Sequence, residues 1–332
     1  MATETSKKTH YYGIEWLRGT AAIVVCLYHF TNFFLSKTAW AHFLFQYGYL
    51  AVQGFFVISG FVIPFSMEKK GYKITDALGF IKKRIVRIEP GYWASIALML
   101  VMDFSTRLQP SFKGVLPEVS VFSLFLHLFH LNALLYLTWI REIYWTLAID
   151  WQFFLLLCAS FWAFGHRQVW VRYFALAIFV GLHWIAAPEW LFYHSFGFAA
   201  GIMLYYFYTS KCSIVEFIFG ISTILILDYQ CMGITHFLAI SASVAIIWAC
   251  NRAWSPILYL GKLSYSIYLT HLILGWTFCS FVAMFTQNEW ILTASIFISL
   301  VPNILFADFF NRKIEIPLQA WLEKQLKIGN SQ

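Results

Sequence analysis

Charge is what this sequence has least of. Only 12% of its 332 residues are Asp, Glu, Lys or Arg, where soluble domains carry roughly 25%. With 60% hydrophobic residues and a mean hydropathy of +0.67, the chain cannot wrap an apolar core in a charged surface, which excludes an ordinary water-soluble globule. Cysteine is sparse and scattered. Cys26, Cys158, Cys212, Cys231, Cys250 and Cys279 include no closely spaced pair, which excludes a disulfide framework or a zinc pattern and leaves packing thiols. No other metal-ligand spacing occurs, so neither a metal nor a bound cofactor is expected. There is no internal repeat and no low-complexity tract. Nor is there a cleavable signal peptide: the first apolar stretch begins near Tyr11, is too long for an h-region and lacks a small-residue cleavage site, so it should stay as a signal anchor.

What is there is apolar sequence almost end to end. Runs long enough to approach the roughly 20 residues of a membrane crossing lie at 13–35, 46–66, 90–106, 119–138, 144–164, 169–187, 190–209, 213–231, 233–250, 258–285 and 290–311. The formal net charge of +7 would hint at nucleic acid in a soluble protein. Here it reads as Lys and Arg marking cytoplasmic loops, with no nucleic-acid partner. The loop 67–89, with Lys69, Lys70, Lys73, Lys82, Lys83, Arg84 and Arg87, should be cytoplasmic, and so should Lys7 and Lys8 two spans earlier. If 119–138 does not cross, then His166–Arg172, Lys211, Arg252, Lys262 and the tail with Arg312, Lys313, Lys324 and Lys327 all fall inside as well. That segment is also the polar one, with His127, His130 and Asn132. The expectation is an all-α polytopic membrane bundle with about ten transmembrane helices and both termini cytoplasmic. Segment 119–138 becomes an extra interfacial or re-entrant helix. One membrane domain, 13–311, sits between tails 1–12 and 312–332. Residues 74–89, with Ile74, Leu78, Ile81, Ile85 and Ile88 at helical spacing among basic residues, read as an amphipathic helix on the inner surface.

Ionisable residues at membrane depth are costly and mark functional positions. The first span carries Glu15, Arg18 and His29. Arg18 and His29 are eleven residues apart, close to three turns, so both face one way about 16 Å apart along the axis. Glu15, one turn before Arg18, can pair with it. His29 can be a general base toward a hydroxyl, a nucleophile that carries an acyl group, or simply a histidine bonded to a neighbouring helix. Gly54, Ser59 and Gly60 in the second span read as close-packing positions, and Gln53 before them is a buried polar residue that could line a cavity. Arg84 and Arg87, three apart, present a cationic face suited to the phosphates of a nucleotide-tailed donor or to lipid head groups. Asp150, with Thr146 one turn earlier, can serve His29 or balance an arginine. Ser264, Tyr268 and His271 form a polar stripe that should face the bundle interior; His271 is either a second base or a helix-to-helix hydrogen bonder.

Taken in order, these segments resemble acyltransferase family 3, the bacterial membrane O-acyltransferases of surface polysaccharide and lipopolysaccharide. EWLRGTAAIVVCLYHF is similar to its opening motif, with ten residues between Arg18 and His29. AVQGFFVISGF resembles its second span, RIVR at 84–87 its two-arginine motif, and YWTLAIDWQFFLL its Trp-Ser-Leu…Glu…Phe-Tyr-Leu segment. FGFAAGIMLYYFY and LGKLSYSIYLTH are familial too. The sequence departs from the pattern at Gln53, where aspartate is common and no acid–base role survives. Asp150 stands for a glutamate and Glu15 for an aspartate. The resemblance implies a bacterial inner-membrane enzyme that takes an acyl group, most simply acetyl, from acyl-CoA to a hydroxyl of a glycan or glycolipid. Arg84 and Arg87 would hold the phosphates and Arg18 the thioester end. His29 would be base or acyl carrier, Glu15 would position Arg18, and Asp150 would tune His29 or the acceptor. Some relatives append a soluble hydrolase-like domain. This chain stops about twenty residues past its last span, so transfer should finish within the membrane domain. The rival readings are a transporter or flippase of a glycolipid or lipid-linked sugar, which often shows repeats and mid-membrane helix breaks, and a scaffold without chemistry.

Overall fold

The structure is a computed structural model, and it describes residues 11–108, 119–132, 135 and 137–327. Among these residues every regular element is helical, as a chain must be that satisfies its backbone inside lipid. In chain order the helices are α1 (Tyr12–Phe34), α2 (Trp40–Phe45), α3 (Val52–Lys69), α4 (Ala77–Arg107), α5 (Val121–Leu128), α6 (Trp145–Phe164), α7 (Val169–Gly181), α8 (Ser195–Tyr208), α9 (Ile214–Met232), α10 (Ile234–Ala249), α11 (Ser255–Thr270), α12 (Leu274–Ala283), α13 (Glu289–Phe310) and α14 (Ile316–Gln325). Local chemistry sets several boundaries. Ser213 Oγ accepts from Glu216 N–H at 3.2 Å while Glu216 Oε2 accepts from Ser213 N–H at 2.7 Å, opening α9 with a capping box. Gly233, at φ +86°, supplies the turn into α10. Asn288 Oδ1 accepts from Trp290 N–H at 2.9 Å to start α13.

Among the described residues the interior falls into three apolar clusters. The largest joins α3, α6, α7, α8, α9 and α10, with Phe198 stacked between Phe153 (4.2 Å) and Phe56 (4.7 Å). A second joins α1, α11, α12 and α13. A third, between α1, α4, α6 and α11, is the polar-edged one, holding Tyr92, Tyr144 and Tyr268. α1 borders all three, and its long contact with α11 is allowed by glycine: a Cβ on Gly261 would lie 2.6 Å from both the carbonyl and carboxylate oxygens of Glu15. α3 and α8 cross as closely, since a Cβ on Gly60 would meet the Phe198 carbonyl at 2.2 Å and one on Gly201 the Val57 carbonyl at 2.2 Å.

Three features of the bundle bear on the sequence reading. By length and apolarity the qualifying segments are Trp40–Lys69, Ile74–Arg107, Glu142–Phe164, Ile214–Met232 and Glu289–Gln325. The bent pair α11–α12 adds a sixth, so this measure does not reach ten crossings among the described residues. α1 is long enough at 23 residues but carries Glu15, Arg18 and His29. α8 is apolar but has 14 residues, and Val169–Ile185 and Ile234–Ala249 are apolar but short. Second, residues 74–89 are not a separate surface helix. After a 3-10 turn at Ile74–Asp76, the chain runs from Ala77 unbroken through Pro90 into the following apolar stretch as α4, 31 residues long. Third, residues after 311 are helical through Gln325, with α14 lying on α4 and Gln319 Nε2 donating to the Arg87 carbonyl at 2.9 Å. Within 119–138 the helix α5 has eight residues, about 12 Å of rise, far short of the roughly 30 Å hydrocarbon core. Residues 133, 134 and 136 of that segment, and residues 1–10 of the N-terminal tail with Lys7 and Lys8, lie outside the described residues.

Candidate active site

The charges of the first span meet those of α4 and α6. On α1, Arg18 pairs with Glu15 at 3.7 Å. On α4, Arg84 pairs with Asp150 of α6 and lies over the Phe154 ring, 5.0 Å from its centroid. The two pairs are neighbours: Arg18 feels Glu15, Arg84 and Asp150, and Arg87 feels Arg18, Arg84, Glu15 and Glu315. Three guanidinium groups thus converge from two helices on a partial complement of carboxylates. They are not sealed. The four paired side chains keep 15–24% of their exposure. Glu15 Oε2, Asp150 Oδ1 and Arg84 Nε are buried without a hydrogen-bond partner among the described residues. Asp150 thus stands paired with an arginine, Arg84.

His29 stands three turns further along α1, half-buried. Its ring lies 5.2 Å from that of His271, tilted by 37°, with the Tyr28 ring edge-on at 5.0 Å. The polar stripe of α11 does face inward: Ser264, Tyr268 and His271 are all buried. Tyr268 Oη donates to the Ile143 carbonyl at 2.6 Å and lies 2.7 Å from Thr146 Oγ1. Gln53 is 3% exposed, and its Oε1 has no hydrogen-bond partner among the described residues. It lies beside Gly197, where a Cβ would stand 3.0 Å from that oxygen. The site residues named from sequence accordingly form two levels: Glu15, Arg18, Arg84, Arg87 and Asp150 as an ionic cluster, and His29 about 16 Å along α1 from it.

Sequence reading passed over a third group. Glu89, 4% exposed on α4, accepts through Oε1 from Trp151 Nε1 at 2.7 Å and from His130 Nε2 at 3.1 Å. His130 in turn stacks on Tyr92 at 4.5 Å. The signal is in the sequence, since a carboxylate beside Pro90 at the edge of an apolar run is as costly as Asp150, but the neighbouring Arg84 and Arg87 mask it. His127 ties the same loop down, its Nδ1–H donating to the Ser123 carbonyl at 2.7 Å and its Nε2 accepting from Ile140 N–H at 2.8 Å. A buried Asp228–His236 pair joins α9 to α10. Among the described residues no cluster of three or more His, Cys, Asp or Glu side chains could hold a metal. A groove of about 440 Å³ between α7, α8 and α9, walled by Leu176, Trp184, Met203 and Phe219, includes none of the charged cluster.

Comparison with known families decides what kind of protein this is. Residues 11–311 match the family described as acyltransferase domain. The chain belongs to that acyltransferase family. Glu15, Arg18, Arg84, Arg87 and Asp150, and both His29 and His271, fall inside the matched span. Among curated proteins, Protein 2 in picA locus of Rhizobium radiobacter is 37% identical over 87 residues, 26% of this chain and 42% of that protein. The chain thus spans less than half the length of this curated relative. No solved structure matches. As an acyltransferase-family member with several apolar crossing helices, this is a multi-pass membrane protein.

Proposed function

We propose that the protein moves an acyl group, most simply acetyl, from acyl-CoA to a hydroxyl of a cell-surface glycan or glycolipid at a bacterial inner membrane. The observation that carries this reading is the two-level site: an accessible tri-arginine cluster at one level of the bundle and an inward histidine about three helical turns away. A thioester donor has that shape, with anionic phosphates at one end and the reactive carbonyl at the end of a long arm. Arg84 and Arg87 hold the phosphates as charge-assisted, forked hydrogen bonds. Arg18, kept in place by Glu15, holds the arm where it turns toward His29. Asp150 holds Arg84 in an extended pose before the donor arrives.

At the reacting end His29 removes the proton of the acceptor hydroxyl as its oxygen bonds to the thioester carbonyl carbon. The C–S bond then breaks, and His29 returns the proton to the departing thiolate. In the covalent variant the His29 nitrogen attacks the thioester carbonyl carbon, the C–S bond breaks and the CoA thiolate leaves with the ring proton; the hydroxyl oxygen then takes the acyl group as the N–acyl bond breaks, and its proton returns to His29. Neither route consumes a metal or a redox cofactor.

The side of access follows from charge. Glu68 binds Lys211 at 2.9 Å, Arg172 donates to the carbonyls of His166 and Arg167, and Lys211 Nζ reaches the Gly165 carbonyl. The basic connections after α3, α6 and α8 thus gather at one end of the bundle. We assign that end, and with it both termini, to the cytoplasm by the positive-inside bias. The break between α11 and α12 is a feature shared with transporters, and one experiment separates the two readings. Purified protein in detergent is mixed with radiolabelled acetyl-CoA and free CoA thiol is followed with an acceptor extract present. The reading requires thiol release by the wild type, none by His29→Ala, and a donor KM raised on the order of tenfold or more by Arg84→Ala. Absence of binding and turnover across acyl chain lengths would remove the arginines from donor binding and leave transport.

A further inference from the structure

α11 does not run straight on into α12. The chain bends by 59° across the three residues between Thr270 and Leu274. A helix broken at membrane depth must have its freed backbone groups covered. Here Ile273 N–H donates to the Thr270 carbonyl at 2.8 Å and Trp276 N–H to the His271 carbonyl at 3.1 Å. The residue placed at the break is His271, with 0% exposure.

The tautomer of His271 is decided by its surroundings. Its Nδ1 lies 2.8 Å from the Tyr268 carbonyl. A carbonyl oxygen only accepts, so Nδ1 carries the proton. The Nε2 of the neutral ring then has a lone pair and no hydrogen. That Nε2 is buried and has no partner among the described residues, an expensive condition for a polar atom away from water. The ring facing it across 5.2 Å is His29. No hydrogen bond joins the two rings as they stand. With nitrogens turned toward each other, imidazoles at this separation meet at roughly 2.8–3.1 Å, hydrogen-bond length. Catalytic hydrogen bonds commonly close only when substrate is bound.

We propose that His271 is the positioning residue for His29. Its Nε2 accepts a hydrogen bond from one ring N–H of His29, which fixes the tautomer of His29 and points its other nitrogen, lone pair outward, at the acceptor hydroxyl. This role presupposes the acyl transfer proposed for His29. A carboxylate does this work in soluble triads, but here Asp150 is taken by Arg84. A buried anion would also cost far more at this depth than a neutral imidazole acceptor. During transfer the hydroxyl proton passes to the free nitrogen of His29 and then to the leaving thiolate. His271 keeps its Nδ1 proton and gains none, and its lone pair steadies the transient imidazolium.

The test measures kcat and donor KM for acetyl transfer by the full-length protein in detergent, comparing wild type, His29→Ala, His271→Leu, His271→Asn and His271→Gln. Glutamine places its amide carbonyl near the reach of Nε2; asparagine reaches only as far as Nδ1. The expected result is a kcat loss on the order of 100-fold for His271→Leu, with KM for acetyl-CoA changed less than about threefold. Glutamine should restore at least about tenfold of that loss and asparagine little. Wild-type kcat in His271→Leu alongside an inactive His29→Ala would overturn the positioning role alone. Turnover in His29→Ala would overturn the reading beneath it. If the leucine variant does not fold, the polar pair decides: asparagine equal to or better than glutamine means that His271 serves only its bond to Tyr268, and the proposal is wrong.

Discussion

At the scale of residues, the ionic cluster is the part of the site most open to prediction and test. Arg18, Glu15, Arg84 and Asp150 were legible because a charge in an apolar run has to be explained by a partner or a task. Which partner was not legible, since Arg84 and Asp150 are 66 residues apart and only the folded crossing of α4 and α6 brings them together. Glu89 was hidden for the same reason: its partners His130 and Trp151 come from two other segments. The Arg84–Asp150 pair gives a double-mutant prediction. Asp150→Asn leaves a guanidinium uncompensated and should lower unfolding stability by about 2 kcal/mol, less than the 3–5 of a fully sealed pair because both side chains retain some water. Arg84→Gln combined with Asp150→Asn should regain most of that stability while still failing to bind acetyl-CoA. Thermal unfolding in detergent beside donor binding checks it. A double variant no more stable than Asp150→Asn alone would show that the carboxylate does more than balance Arg84.

At the scale of elements, helical class was written in the sequence, and several boundaries were not. Pro90 stands where the apolar run 90–106 begins, and proline commonly breaks a helix because it lacks an amide hydrogen and clashes with the preceding turn. In the structure α4 passes through it, so one long helix carries Arg84, Arg87 and Glu89 into the bundle rather than along its surface. Depth, rather than propensity, decides this: in a membrane the helix is the cheapest way to satisfy the backbone, and a proline interruption is tolerated. The small residues of the second span were read as packing positions, and the α3–α8 crossing agrees. Gly60→Ala and Gly201→Ala each force a methyl into a backbone carbonyl at 2.2 Å. Both should cut the yield of monodisperse protein in size-exclusion chromatography several-fold. Gly79→Ala, with nothing within 4 Å of the new Cβ, should be neutral or stabilise α4 by about 0.5–1 kcal/mol through helix propensity. Equal tolerance at all three positions would argue that α3 and α8 do not cross as described.

At the scale of the whole molecule, the sequence yields a polytopic helical bundle but not the number of crossings. Hydropathy records how apolar a stretch is, and not whether protein or lipid surrounds it. α8 is apolar because α3, α9 and α10 enclose it, whereas α1 dilutes its apolar run with the residues of the site. The basic loops supply what hydropathy omits. In a variant freed of native cysteines, a cysteine at Lys73 should react with a membrane-impermeant maleimide only after cells are permeabilised. One at Gln287, exposed in the turn between α12 and α13, should react in intact cells. The reverse pattern would invert the orientation and place the arginine cluster on the side without CoA.

The central claim is that His29 turns a donor thioester into an ester on an envelope glycan. Membranes from cells expressing wild type, His29→Ala or His29→Gln at matched levels would be given radiolabelled acetyl-CoA, and the label counted in purified, base-labile glycan acetyl groups. Label that rises with wild type and stays at background in both His29 variants is the predicted result. Equal labelling in all three membranes would contradict it and take the chemistry away from His29.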